Sequence, residues 1–329
     1  MKIIGSNRLV SWMGSACLLG VVACSSSPDV AATRPKTSSK AATSPASSAP
    51  SAADGAGDSG ASEEFVIQTG TFTVDPGGEV YKCQDFTNPF GGKSVGVVAT
   101  ETDLTKGSHH MFAFVMPNEQ LSLFDGLSDC PGGGTEFHEY LTTAASPHMS
   151  TAYADGIGRY FDAANGLRMN VHLFNSTSEP VDAFIKLTVK TVDPGRLKYK
   201  AASIFLNYLG LKVPPGVSTQ TGSYVLPTDI WLLGAASHMH RLGTHFEAKT
   251  DDGTMLYQTD EWAEPAPARF DPPLALTTGT RIDWSCEYAN DTGTTITFGD
   301  SAVKNEMCIF PGEFYNEQGE QLTAQYPVF

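Results

Sequence analysis

From Glu64 onward the chain is cut into short runs rich in β-branched and aromatic residues, each closed by a turn bearing Pro or Gly. No dozen-residue stretch there carries the apolar spacing of an amphipathic helix. The pattern predicts an all-β fold of antiparallel β-sandwiches, jelly-roll-like in kind, and the length of residues 63–329 suits two such domains or one large β assembly. In the first half, strands are expected over residues 64–74 (EFVIQTGTFTV, closed by Pro76-Gly77-Gly78), 94–100, 111–116 (ended by Pro117), 168–174 and 181–192. In the second half they are expected over 202–208, 224–240, 244–250, 280–288, 294–298 and 307–310. Residues 125–147, which include Gly132-Gly133-Gly134, read as long loops. Asp193-Pro194-Gly195 is the expected boundary between the domains, 63–195 and 196–329.

The first twenty-four residues read as an export signal. Lys2 and Arg8 make a positive start, and the apolar run that follows to Ala23 is too short for a membrane span. Val21-Val22-Ala23-Cys24 resembles the bacterial lipobox, which implies that Cys24 becomes the lipid-modified first residue. Ser25, where Asp would favour the inner membrane, points the anchored protein to the outer one. The alternative is an ordinary secreted protein cut nearby. Residues 25–62 are almost all Ser, Ala, Pro, Thr and Gly, a composition that cannot offset chain entropy by burial and so predicts a disordered tether.

The formal charge is −15, and about −17 once Lys2 and Arg8 leave. So acidic a surface repels nucleic acid and anionic lipid, and neither is expected as a partner; protein partners are left open. With Cys17 in the signal and Cys24 lipidated, Cys83, Cys130, Cys286 and Cys308 remain for two disulfides. Three pairings are possible, of which pairing within each half is the simplest.

In SHMHRLGTH, residues 237–245, His238 and His240 stand two apart in surroundings that read as β, so both imidazoles can reach one metal ion from one face. In chain order the full series is His109-His110, His172 on the strand RMNVHLF, His238-x-His240, and Met307-Cys308. This series resembles the copper type II, ascorbate-dependent monooxygenases, the family of peptidylglycine alpha-hydroxylating monooxygenase and dopamine beta-hydroxylase. The likeness runs over most of residues 65–315 and is strongest at HHM (109–111), NVHL (170–173), HMHRLG (238–243) and NEMC (305–308).

The resemblance implies two coppers facing each other across an interdomain cleft. His109, His110 and His172 would hold the electron-transferring ion, and His238, His240 and Met307 the one at which dioxygen is activated. Ascorbate or another one-electron donor would be the reductant, and O2 with a small molecule the substrates. Tyr81 matches a tyrosine near the first copper, and the disulfides implied are Cys83–Cys130 and Cys286–Cys308. The donor chemistry agrees: a thioether favours Cu(I) and suits zinc poorly. Adjacent His109 and His110 would need a bulge or strand end to reach one ion. His138, His148 and His245 have no counterpart among the ligands and read as ordinary polar residues, with His138 and His148 the two that could line the cleft.

The peptide-amidating members read a terminal carboxylate with an arginine before HxH and with polar residues after the methionine. Ala236, Ile309 and Pro311 stand at those positions here. A buried carboxylate without partners is costly, so a small neutral or apolar substrate is expected instead. Two other readings are a non-catalytic copper-storing or copper-sensing lipoprotein, and a zinc hydrolase that leaves Met307 unexplained.

Overall fold

The computed structural model describes residues 62–105, 108–123, 126–130, 139–175, 177–317 and 324–325. The export segment with Cys24, the tether and His138 lie outside them, as does the side chain of His109. Among the described residues every regular element is a strand, apart from two short 3-10 turns, Asn118–Leu123 and Pro194–Arg196. No helix among them is long and apolar enough to cross a membrane.

Four main sheets pair into two sandwiches within one compact unit. In the first sandwich, one sheet runs Glu63–Gln68, Ile185–Val192, Val95–Leu104, Ile157–Phe161, Tyr199–Lys200, with His148–Ala152 also paired to Val95–Leu104. The other runs Ser128–Asp129, Glu79–Phe86, Asn165–Phe174, Ser108–Pro117, Tyr140–Ala144. Val97, Leu187 and Val189 of the former meet Met111, Met169 and Leu173 of the latter in a closed core. Each such side chain contributes roughly 1.5–3 kcal/mol by leaving water.

The second sandwich sets Ala268–Leu276, Ile230–Ala235, Ile309–Tyr315, Ala202–Asn207 and Ala324–Gln325 against Gly216–Val225, Arg281–Asn290, Gly243–Thr250 and Met255–Thr259. Leu232, Ile204 and Phe310 pack there on Trp284, Phe246 and Ala248. Both disulfides form as the resemblance implied, Cys83–Cys130 in the first sandwich and Cys286–Cys308 in the second, with Cα separations of 5.6 and 5.9 Å.

The strand Asn165–Phe174 positions the site, because it is buried on both faces. Leu167, Met169, Val171 and Leu173 enter the core, so the alternation of a strand sends Arg168, Asn170 and His172 to the other face. There Arg168 forms a forked pair with Asp85, Nε to Oδ1 at 2.8 Å and Nη2 to Oδ2 at 3.0 Å. Asn170 Nδ2 donates to the sulfurs of Cys83 and Cys130 at 3.2 and 3.3 Å.

Several expected boundaries are corrected. The run 64–74 is two strands, Glu63–Gln68 and Phe72–Val74, the ladder ending where Ile185 N–H goes to Thr69 Oγ1 in place of its carbonyl. The run 181–192 breaks at Phe184, whose N–H goes to Thr105 Oγ1. Within 125–147, expected as loops, Ser128–Asp129 and Tyr140–Ala144 are strands. The run 224–240 ends one strand at Val225 and begins another at Ile230, because Pro227 has no N–H to give a ladder. Expected strand 307–310 instead begins at Ile309 and runs to Tyr315, and of 294–298 only Ile296–Thr297 is regular. Ala268–Leu276 contains Pro272 and Pro273 and gave no strand signal; it is an edge strand, where prolines are tolerated.

Candidate metal centre and adjoining cavity

His110 and His172 face each other across neighbouring strands, in register, with ring centroids 5.1 Å apart. One pair further along, Leu173 is opposite Ser108, so His109 is the extra residue of a β-bulge. The backbone thus has the irregularity that two adjacent ligands require. On the other flank His172 is opposite Tyr81, and their rings stack with centroids 4.1 Å apart. Tyr81 hydroxyl donates to Asp300 O, and burial, then Glu79 and Asp300, push its pKa upward.

Glu79, two residues before Tyr81 and on the same face, is the residue that sequence reasoning missed here. Its Oε1 pairs with His172 Nε2 at 2.9 Å and accepts Ala302 N–H at 3.0 Å, while Oε2 accepts Ser301 Oγ at 2.8 Å. One carboxylate therefore orients a histidine of the first sandwich and grips a loop of the second. Burial opposes its charge, but the bonds from Ser301 and His172 outweigh burial and leave its pKa lowered.

In the second sandwich the HxH segment is not a regular strand. His238 forms an isolated bridge with Ile309, N–H to O at 3.0 Å one way and 3.1 Å the other, and His240 N–H then leaves the ladder. Glu306 explains the departure: its Oε2 accepts His240 N–H at 3.0 Å and its Oε1 accepts Leu242 N–H at 2.8 Å. The alternation of faces survives, since Met239 enters the core while the His238 and His240 rings stand 5.3 Å apart. His240 Nδ1 donates to Asn305 O at 3.0 Å, so Nε2 is the nitrogen that would meet a metal. Met307 is buried between Glu306, which holds His240, and Ile309, two residues on, which bridges His238. Its carbonyl is fixed by Tyr288 hydroxyl at 2.8 Å.

The two expected ligand sets meet rather than face each other across an open gap. His110 and His238 are in edge contact, centroids 5.2 Å apart, so His172, His110, His238 and His240 form one continuous row. Burial lowers the pKa of His172 in spite of Glu79, lowers His238 well below its usual value, and brings His240 to about 4. Neutral imidazoles are the form that ligates, and a ring nitrogen bonded to a carboxylate or carbonyl is the usual support of a metal-bound histidine. Neutral imidazoles of this kind fit copper, and Met307, buried and next in the chain to the Glu306 that holds His240, is the thioether expected to join them.

Beside His110 and His238 opens a cavity of about 270 Å³, walled chiefly by Phe112, Tyr140, Phe205, Met149 and Pro311. Phe112 is the alternate neighbour of His110 on one strand, and its ring lies 5.2 Å from that histidine. At another part of the wall stand Arg269 and Glu313, backed by the buried Arg159. Nothing in the sequence marked these three, because they come from three separate strands.

His148 pairs with Asp103, Nδ1 to Oδ1 at 2.9 Å, on an exposed patch with Glu101, and Lys186 already occupies the other oxygen of Asp103. His245 pairs with Asp260 at 2.6 Å, away from the histidine row. Neither adds to the site.

No family model matches the chain, and no curated protein matches it. Among solved structures it is similar to the major capsid protein P2 of bacteriophage PM2, at 8% identity over 78% of this chain and 97% of that one, with a TM-score of 0.34. It is also similar to the triple jelly roll protein of an archaeal virus, at 7% identity over 82% of this chain and 62% of that one, with a TM-score of 0.19. A third is from infectious bursal disease virus strain Gx, at 9% identity over 79% and 73%, with a TM-score of 0.20. At these scores the likenesses carry no argument, and the reading of the chain rests on its own residues.

Proposed function

We propose that this protein is a copper-dependent monooxygenase that hydroxylates a C–H bond of a small, largely apolar substrate with O2 and a one-electron donor such as ascorbate. The observation that carries the reading is the row of four histidines drawn from two sandwiches, whose two middle members, His110 and His238, line a small, largely apolar cavity. His109, His110 and His172 would hold one copper, and His238, His240 and Met307 the other. Copper bound there supplies one-electron redox chemistry and the activation of dioxygen. The chain's own residues set the conditions: Glu79 orients His172, Asn305 O orients His240, and Phe112, Tyr140 and Phe205 give the cavity beside His110 and His238 an apolar surface. In this reading the two sandwiches would be the two domains, and the cavity beside His110 and His238 would serve as the cleft between them. Cys24 would tether the exported protein to the outer membrane.

The test is oxygen uptake by the copper-loaded protein with ascorbate and a panel of small aromatic and aliphatic compounds, beside Met307→Ala. Uptake that needs both substrate and Met307 supports the monooxygenase. Two tightly bound coppers without uptake above the ascorbate background would favour copper storage or sensing, and a preference for zinc over copper would overturn both.

A further inference from the structure

Phe112 and Phe205 reach the cavity from different sandwiches, their ring centroids 6.3 Å apart, and Arg269 is, among the described residues, the one arginine or lysine in a wall that is largely apolar but also holds Glu313 and several Ser and Thr residues. Arg269 arrives there on the edge strand Ala268–Leu276, where the register with Ile230–Ala235 shifts between Leu232 and Gly234. Gly234 makes room for it. A Cβ at that position would lie 3.1 Å from Arg269 Nη1 and 3.3 Å from its Cδ, so the side chain rests against bare backbone. Nη1 donates to Glu313 Oε2, and the guanidinium carbon sits 5.9 Å from the centroid of the Tyr153 ring. The cation is held in place before any ligand arrives.

The charges around it do not cancel. Glu313 already has a cation in Arg159, which is 1% exposed and donates to Oε1 from Nη2 at 2.7 Å and from Nε at 3.2 Å. Two guanidiniums thus share one firmly ionised carboxylate. The other acid here, Glu139, stands 3.4 Å from Arg159 rather than beside Arg269, and burial pushes its pKa up against the pull of that arginine. Arg269 is 38% exposed, and its planar fork of five donors offers more than the bond to Glu313 consumes. The donors that Glu313 leaves unused can receive a carboxylate from the cavity without breaking that pair.

We propose that this cavity binds a small arylalkanoic acid, its carboxylate received by Arg269 and its ring packed against the wall that Phe112 and Phe205 form together. The volume, near the lower end for small-ligand sites, suits one such molecule and excludes a folded partner. The proposal rests on the monooxygenase reading for the fate of the ligand and revises the neutral substrate expected from Ala236, Ile309 and Pro311. A cation absent from the HxH motif is made up by one from a different strand.

The test is equilibrium binding of three probes to the metal-free full chain by isothermal titration calorimetry: 3-phenylpropionate, its amide 3-phenylpropionamide, and phenethylamine. The acid should bind at least about tenfold more tightly than the amide, as a charge-assisted pair with arginine predicts, and the amine least well. Arg269→Gln should bring acid and amide level, and Phe112→Ala should weaken both together. Acid and amide binding alike, the amine binding best, or no binding of any probe would overturn the proposal, as would a preference for the acid that persists in Arg269→Gln. The wild-type comparison stands whether or not a variant folds. Because the protein is free of copper, these outcomes are separate from those of the oxygen-uptake test.

Discussion

The rings of His110 and His238 meet edge to face with centroids 5.2 Å apart, although one stands on the first sandwich and the other on the second. In the proposed function, metal sites built on these two residues would share a wall. Truncating His110 removes a donor from one set and uncovers the other, so His110→Ala should retain one of two coppers and hold it at least about tenfold more weakly. His172→Ala, on the side of His110 that stacks against Tyr81, should leave the surviving copper near its wild-type affinity. Competition titrations with a copper chelator compare the two, and equal affinities would show that the sets do not communicate.

Glu79 makes a second link between the sandwiches, and its loss should be felt in two quantities at once. Glu79→Ala leaves Ser301 Oγ and Ala302 N–H without their acceptor and His172 without its orienting carboxylate. Partly buried donors left unsatisfied cost about 1–3 kcal/mol, and removing the support of a metal-bound histidine costs roughly 10- to 100-fold in affinity. Urea unfolding of the metal-free protein and copper competition measure the two effects. Stability unchanged with affinity unchanged would remove Glu79 from the site.

The histidine row was readable in the sequence because each member announces itself by residue type, and strand alternation puts Asn170 and His172 on one face whatever lies opposite. The supports were less readable. Glu306 stands within NEMC, yet nothing local says that its carboxylate clamps the amides of His240 and Leu242, since that depends on a segment far away in the chain. Closure of His110 onto His238 and the meeting of Arg159, Arg269 and Glu313 depend on how the sandwiches dock, which no periodicity encodes. The strand Ala268–Leu276 was hidden for a different reason: its prolines argue against a strand everywhere except at an edge.

The Cys286–Cys308 disulfide closes a segment with a sequence separation of 22 that ends beside Met307. In the chain-entropy picture such a loop is worth about 3 kcal/mol, so the double variant Cys286→Ser/Cys308→Ser should lose stability of that order in urea unfolding. It should also lose affinity for Cu(I) more than for Cu(II), because a loosened Met307 removes the soft donor. An equal loss for both oxidation states would mean that the disulfide does not act through Met307.

The proposed lipid attachment at Cys24 predicts a simple partition. Expressed with its own signal, the wild-type chain should fractionate with membranes and incorporate labelled fatty acid, and Cys24→Ser should do neither. Label in the variant would place any lipid elsewhere.

The Arg159 network sets opposite pH dependences on its two acids. Glu313 is raised by burial, but Arg159 and Arg269 outweigh that and hold it at about 2, below its ordinary 4.5. A depressed carboxyl stabilises the fold above its unfolded pKa, and that contribution disappears as pH falls from about 4.5 through 2. Glu139 runs the other way. Burial lifts it to about 7, so the folded protein binds its proton more tightly, and the contribution present below 4.5 is lost as pH rises through 7. A shift of this size corresponds to roughly 3 kcal/mol. Unfolding free energies measured from about pH 4.5 to above pH 7 should therefore decline less steeply in Glu139→Gln than in wild type. Glu306, also raised to about 7, is present in both proteins and drops out of the comparison. Parallel curves would mean that Glu139 keeps an ordinary pKa, and with it a full negative charge to set against the surplus cation at Arg269.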